Sequence, residues 1–229
     1  MKISVVIPVF NEVSTIEEIV ERVKHIPLEK EILIVDDGSV DGTRDKLKKM
    51  ETSDGSVKVF YHDQNRGKGA AFRTGFKEAT GDIVITQDAD LEYDPAEYLE
   101  LISPIQKGVA DVVYGSRLSA AKPQRVHFFW HKMGNTFLTF LTDLLYNTTL
   151  TDMETGYKVF RREVLQGMTL RSNDFCLEPE VTAKVLKRGW RVYEIPISYY
   201  GRTYAEGKKI RWHDGLKAIW TLIKYRIVE

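Results

Sequence analysis

The chain of 229 residues has one cysteine, Cys176, so it can form no intramolecular disulfide, which favours a reducing, cytoplasmic setting. It has no surplus of either charge: Lys plus Arg and Asp plus Glu each number 33. Nucleic-acid binders usually carry a basic excess, so no nucleic-acid partner is expected. It also lacks the run of about 20 apolar residues that a membrane span needs. The best stretch, 133–142, is boxed in by Lys132 and Asp143. The opening MKISVVIPVFNE has too short an apolar run for a signal peptide and no small-residue cleavage site. Repeats, low-complexity tracts and an interdomain linker are missing too. No transmembrane span is therefore expected, which leaves attachment to a membrane face open. What remains is an ordinary globular composition, 43 % hydrophobic and 29 % charged, suited to a single domain over 1–229.

The first half alternates strands and helices. Ile3 to Ile7 is a nearly unbroken β-branched run, as expected of a strand buried on both faces. Ser14-Thr15-Ile16-Glu17 reads as a capping box, followed by the apolar stripe Ile16, Ile19, Val20 and Val23. Further strands are predicted at 31–35, 57–61, 82–86 and 111–114, with helices over 43–50 and 68–79 and one capped by Asp94-Pro95. This rhythm predicts an α/β fold: an open, mostly parallel twisted sheet with helices on both faces. After Arg117 it changes. Residues 127–146 are rich in large apolar side chains, a short strand is expected near 157–160, a helix near 179–187, a strand at 192–197 and a final helix from Trp212 to Tyr225.

Ligands of open α/β sheets bind at the carboxyl ends of the strands. Three acidic tips fall there: Pro8 to Glu12, Asp36-Asp37-Gly38-Ser39 with Asp41-Gly42-Thr43, and Asp88-Ala89-Asp90-Leu91-Glu92. One acidic tip alone is an ordinary turn or helix cap. Three on one sheet edge repel each other unless a cation or a hydrogen-bonding ligand is present. Asp88 and Asp90, spaced by one residue, can share a hard cation with Glu92, and Mg²⁺ or Mn²⁺ takes such oxygen ligands. Zinc is excluded, because no Cys/His cluster has ligand spacing. Gly67-Lys68-Gly69-Ala70-Ala71-Phe72 is not a dinucleotide fingerprint, since no strand leads directly into it and Phe72 replaces the third glycine. There is no P-loop. The glycines let the backbone approach a ligand or start a helix tightly.

These motifs, with Asn65-Arg66-Gly67-Lys68-Gly69-Ala70, Gly75 and Gly81, resemble in order and spacing the family 2 glycosyltransferases of GT-A fold. Asp88 to Pro95, Gly115-Ser116-Arg117, Asp152 to Phe160 and Gly201-Arg202 are similar to the dolichol-phosphate mannose synthases and related polyprenyl-phosphate glycosyltransferases. The resemblance implies a nucleotide-sugar-binding half over 1–117 and an acceptor-binding half over 118–229. It implies a nucleoside site of Pro8, Phe10, Glu12, Val35 and Asp37, with Ala89 beside it, and a metal held by Asp88, Asp90 and Glu92. Glu92 stands where the mannose synthases often have Gln. Arg117, Arg202 and Lys208 are expected on the donor diphosphate or an acceptor phosphate. It further implies inversion at the anomeric carbon, with a nucleoside diphosphate as leaving group.

The acceptor decides whether a base is needed. A sugar hydroxyl must lose a proton, whereas a lipid monophosphate, with a second pKa near 6, arrives largely ionised. Asp152, Glu178 and Glu180 are the candidate bases and also plausible structural caps. Lys122, Arg125, Arg202, Lys208, Lys209 and Arg211 supply cations, several of which suit a solvated surface equally well. The wide aromatic face of 127–146, with His127, His131 and Lys132 beside it, is either core or an interfacial helix on a membrane. Trp212, Trp220 and Tyr225 are possible further anchors. The expected activity is hexose transfer from GDP-mannose or UDP-glucose to a polyprenyl phosphate, with Asp90, Arg117 and Asp152 as the catalytic candidates. Rivals are transfer to a glycan hydroxyl and a non-catalytic nucleotide-sugar-binding protein. A nucleotidyltransferase is disfavoured, because the Gly-rich N-terminal loop followed by a basic residue is missing.

Overall fold

The computed structural model of the chain describes residues 1–53, 55–119, 121–126, 128–202 and 212–228. Among these, seven strands form one sheet: β1 (Ile3–Val9), β2 (Lys30–Asp36), β3 (Val57–Tyr61), β4 (Ile83–Thr86), β5 (Val112–Ser116), β6 (Lys158–Arg161) and β7 (Val192–Pro196). Around it lie α1 (Ile16–His25), α2 (Thr43–Ser53), α3 (Lys68–Glu78), α4 (Tyr98–Gln106), α5 (Phe129–Tyr146), α6 (Arg162–Gln166), α7 (Leu177–Lys187) and α8 (Trp212–Ile227). A 3-10 turn over Pro95–Glu97 leads into α4.

The strand order is β3-β2-β1-β4-β6-β5-β7. The pairs β1–β2, β1–β4, β2–β3 and β5–β7 are parallel, and β6 runs antiparallel to both of its neighbours. The mostly parallel α/β sheet is as expected; the reversed β6 comes from the second half, where no strand–helix alternation sets a direction. Pleating sends Ile3, Val5, Ile7 and Val9 into one core with α1 and α4, and Val6 into the other with Leu33, Phe72 and Val84. Because both faces are covered, β1 needs its nearly continuous apolar run. Ser4 is the exception, buried but donating from Oγ to Glu31 Oε1 at 2.6 Å.

The capping box at 14–17 does not form. Thr15 is the N-cap and has no side-chain cap bond; its hydroxyl turns back to Glu12 Oε2 at 3.0 Å. The Glu12 carbonyl already accepts the amides of Thr15 and Ile16, so the chain enters α1 through a turn on Glu12. Asp94 caps as predicted, accepting Ala96 N at 3.0 Å. From β1 the chain moves outward to β2 and β3, then returns through α3 to β4 on the other side. The carboxyl ends of β1 and β4 thus flank the topological switch point, where such sheets open a crevice.

Candidate functional site

The crevice is a cavity of about 500 Å³, within the range of small-molecule sites. The first half lines it with Pro8, Phe10 and Glu12 after β1, Asp37 after β2, and Asp88, Ala89 and Asp90 after β4. Asn65, Gly67, Lys68 and Ala71 come from the entry to α3, and the second half adds Asp174, Phe175, Arg202, His213 and Asp214. Two non-glycine residues with left-handed backbone lie in these tips, Asn11 (φ 54°) and Leu91 (φ 64°). Such conformations cost on the order of 1 kcal/mol or more and concentrate at functional sites.

The tips are tied to one another. Asn11 N donates to Ser39 Oγ at 3.0 Å and Glu12 N to Thr43 Oγ1 at 3.0 Å, joining the β1 and β2 loops. Asp37 accepts from Arg66 N at 2.9 Å and Gly67 N at 2.8 Å, joining β2 to the start of α3. Only glycine fits at 67: φ is 96° and a Cβ there would meet Asn173 O at 2.3 Å.

Each carboxylate of the β4 tip holds a cation. Lys68 Nζ lies 2.9 Å from Asp88 Oδ1 and 3.4 Å from Glu178 Oε1. Burial works against the Lys68 ammonium, but Asp88 and Glu178 outweigh it and hold its pKa above the ordinary lysine range. Arg202 Nη2 reaches Asp90 Oδ2 at 3.1 Å and Glu12 Oε1 at 3.3 Å. Burial, then the charges of Asp88 and Glu92, push the Asp90 carboxyl up to about 7 despite Arg202. Negative charge at this tip is under-compensated.

That donor set fits a hard divalent ion: two adjacent carboxylates on a tight turn, all oxygen, open to a cavity. Among the described residues, no three His, Cys, Asp or Glu side chains converge as a ready-made cage. Two protein carboxylates, completed by substrate phosphate and water, are what magnesium commonly uses.

The structure brings together Pro8, Phe10, Glu12, Asp37, Asp88, Ala89, Asp90 and Arg202 and leaves other expected residues off the cavity wall. Val35 is fully buried within β2, where its side chain packs in the sheet. Glu92 faces the 199–202 segment: its carboxylate accepts from Tyr199 Oη at 2.9 Å and Arg202 N at 2.7 Å, so it anchors the arginine rather than joining Asp88 and Asp90. Arg117 and Asp152 form a bidentate pair, with Nε and Nη2 each 2.7 Å from a carboxylate oxygen. Arg117 N and Asn135 Nδ2 also donate to Asp152, at 2.9 and 2.8 Å. Burial alone would raise the Asp152 carboxyl, but Arg117 holds it below the usual range. Asp152 is thus a saturated anchor, not a free base. Glu180 is likewise spent, on Lys184 Nζ at 2.5 Å and on the amides of Arg171 and Ser172. Lys122 pairs with Glu97 and Glu100, and Arg125 donates to Gly201 O. His127, Lys208, Lys209 and Arg211 lie outside the described residues, as does the side chain of Trp212.

Sequence reading missed Lys68 as a site residue because it sat inside a rejected glycine motif, although its place at the head of α3 was a signal. Asp174, Phe175, His213 and Asp214 carry no local pattern at all. The apolar segment is core on one side and exposed on the other. On α5, Leu138 and Thr142 are buried, while Trp130, Met133, Phe137, Phe140 and Leu144 form an exposed stripe at helical spacing. On α8, which packs against α5, Leu216, Trp220, Ile223 and Ile227 form a second. Tyr225 is not an anchor: it is buried, with Lys184 Nζ 4.2 Å from its ring. Among the described residues, no helix is long and apolar enough to cross a membrane.

The fold is an open α/β sheet with an acidic crevice of about 500 Å³ at its switch point, the place where such sheets bind ligands. Residues 4–168 match the sequence model of glycosyl transferase family 2, and the chain belongs to that family. It is 30 % identical to the dolichol-phosphate mannosyltransferase of Pyrococcus furiosus, over 98 % of this chain and 64 % of that protein. The chain thus spans just under two thirds of that relative. It is 27 % identical to the undecaprenyl-phosphate mannosyltransferase of Micrococcus luteus over 99 % of both chains. It is 29 % identical to the UDP-N-acetylglucosamine–dolichyl-phosphate N-acetylglucosaminyltransferase of Methanococcus voltae, covering 98 % of this chain and 96 % of that one. The GT-A fold is shared with glucosyl-3-phosphoglycerate synthase of Mycobacterium tuberculosis, solved with Mn²⁺ and UDP-glucose. The TM-score is 0.77 at 18 % identity, over 100 % of this chain and 80 % of that one.

Proposed function

We propose that the chain is an inverting hexosyltransferase that moves a sugar from GDP-mannose or UDP-glucose to a polyprenyl phosphate at a membrane face. The observation that carries this is the cavity itself, where the Asp88/Asp90 pair and the cations Lys68 and Arg202 meet the nucleoside-sized wall of Pro8, Phe10, Glu12 and Asp37. Relatives named for polyprenyl-phosphate acceptors cover nearly the whole chain and support the acceptor class. Those two are named for mannose and a third for N-acetylglucosamine, and the donor base is left between guanine and uracil.

Asp88 and Asp90 would hold Mg²⁺ or Mn²⁺, which supplies Lewis-acid neutralisation of the leaving diphosphate. Lys68 and Arg202 now neutralise carboxylates; with donor bound they are placed to hold phosphate oxygens instead. Two of the three candidate bases are spent, which favours an acceptor that needs none. Asp152 is saturated by Arg117, and Glu180 by Lys184 and two amides, which leaves Glu178, paired with Lys68 through Oε1, as the remaining candidate. A phosphate monoester is already ionised at neutral pH. The two apolar stripes suit a lipid surface, with Lys132 at the head of α5 and Lys217, Lys224 and Arg226 on α8 to meet anionic headgroups.

The second reading, transfer to a glycan hydroxyl, rests on Glu178, whose Oε2 is buried without a hydrogen-bond partner. Purified protein is tested with GDP-mannose and UDP-glucose, undecaprenyl phosphate and Mg²⁺ or Mn²⁺, and the product is weighed by mass spectrometry. Glycosyl-phosphoryl-lipid is the expected product. Turnover of neither donor under either metal sinks the proposal, and transfer to soluble oligosaccharide that Glu178→Gln abolishes favours the second reading. Flotation with anionic liposomes tests the surface; protein left in the soluble fraction refutes it.

A further inference from the structure

His62 lies just past β3, is 7 % exposed, and does not line the cavity. Its backbone is clamped: His62 N donates to Asp36 O at 2.8 Å, and its carbonyl accepts from Arg44 Nη2 at 2.6 Å. Arg44 Nε also holds Asp36 Oδ2 at 2.7 Å, and Ser39 N donates to Asp36 Oδ1 at 3.2 Å. Of the two adjacent aspartates, Asp36 is therefore occupied by the fold and Asp37 is the one that reaches the cavity.

The His62 ring bridges Asp37 and α3. Nδ1 is 2.7 Å from Asp37 Oδ1 and Nε2 is 3.0 Å from Thr74 Oγ1. A carboxylate oxygen that already accepts Arg66 N accepts here too, so Nδ1–H is the donor. A carboxylate offers about four acceptor positions. His62, Arg66 N and Gly67 N fill three of them, two on Oδ1 and one on Oδ2. The second position on Oδ2 is left for a ligand donor such as a ribose hydroxyl or a base N–H. Removing the imidazole would leave the carboxylate held only by the amides of Arg66 and Gly67, so that it shifts with the 65–67 loop and takes that acceptor with it.

We propose that His62 is a positioning residue for the nucleoside of the donor: its Nδ1–H fixes the carboxylate of Asp37, and through it the 65–67 loop, in the orientation that receives the nucleotide. The proposal rests on the nucleotide-sugar reading above. The alternative is a histidine that only ties β3 to α3 through Thr74.

Two amides distinguish these roles. In His62→Asn the amide nitrogen falls near the place of Nδ1 and can serve Asp37; in His62→Gln it reaches toward Nε2 and serves Thr74. Binding of UDP and of GDP, each with Mn²⁺ or Mg²⁺, is measured by calorimetry on the full chain and on His62→Ala, His62→Asn, His62→Gln and Thr74→Val, with a melting temperature for each. The expected result is Kd weakened about tenfold in His62→Ala and His62→Gln, the scale of one lost hydrogen bond. His62→Asn should stay within about threefold, and Thr74→Val should bind normally. Lowered melting temperatures with unchanged Kd in all four overturn the proposal, as does weakening by Thr74→Val with His62→Gln intact. If His62→Ala does not fold, the Asn and Gln variants carry the same comparison. Wild type that binds neither nucleotide overturns the nucleotide reading itself, and this role with it.

Discussion

The two sides of the cavity are built by opposite means. The proposed donor side is a set of short contiguous tips, Pro8 to Glu12, Asp36-Asp37 and Asp88 to Asp90, on strands that pair in fixed register. Its buried carboxylates are held by hydrogen bonds of 2.7–3.1 Å. The proposed acceptor side is assembled from positions far apart in the chain, with Phe175 just ahead of α7, Arg202 anchored by Glu92 and His213 on α8, and it leaves apolar stripes on α5 and α8 in solvent. The family match stops at residue 168, before α7 and α8 begin. A sheet edge places chemistry by periodicity, and a helical face places it by what it packs on.

The largest effect that tests this contrast is on the donor side. Asp88→Asn or chelation of the divalent ion is expected to cut transfer by roughly 10³-fold, the scale of a lost electrostatic contact to a leaving group. The melting temperature should hardly fall, and a small rate effect would move the chemistry away from this tip. Next comes Arg117→Ala, which strands the fully buried Asp152. Breaking such a pair costs about 3–5 kcal/mol, read by urea unfolding, and Arg117→Lys should recover only part because it loses the bidentate fork. If Arg117→Ala instead stays stable and loses only turnover, Arg117 belongs to the chemistry rather than the scaffold.

A pH series gives the third. Burial would raise the Glu31 carboxyl, but hydrogen bonds from Ser4, Thr80 and Lys2 prevail and lower it to about 2 from the usual 4.5. Its stabilisation is therefore complete above about pH 4.5 and is lost as pH falls toward 2, a change of at most about 3 kcal/mol. Glu31→Gln should be less stable at neutral pH and show a flatter acid limb; parallel limbs would contradict the assignment. The smallest effect concerns the acceptor side. Trp130→Ala with Trp220→Ala should weaken liposome partition about thirtyfold, from the loss of roughly 1 kcal/mol of apolar burial each. Nucleotide binding should be unchanged, and unchanged partition would mean that the stripes face something other than lipid.

Much of the donor side could be read directly. The β-branched run of β1 needed two covered faces, and the acidic tips followed strands whose carboxyl ends must share an edge. The D-x-D spacing put Asp88 and Asp90 together, but spacing could not say that Glu92 turns toward Tyr199 and Arg202, since that depends on a segment 107 to 110 residues away. Asp152 looked like a base until its partner was known. Lys68 lay in a motif judged by its glycines, and only the packing of α3 on β1 and β2, which sets Lys68 beside the tip after β4, made it a partner of Asp88.

Sequence alone therefore determined that the sheet is mostly parallel and which acidic residues stand at its edge, because strand periodicity and turn chemistry are local and act over a few residues. Tertiary structure decided which carboxylates stay available, which cations face them and which apolar residues remain exposed. Those outcomes depend on burial and on partners more than a hundred residues distant, and charge at such a site is set by the neighbours that the fold brings within hydrogen-bonding reach.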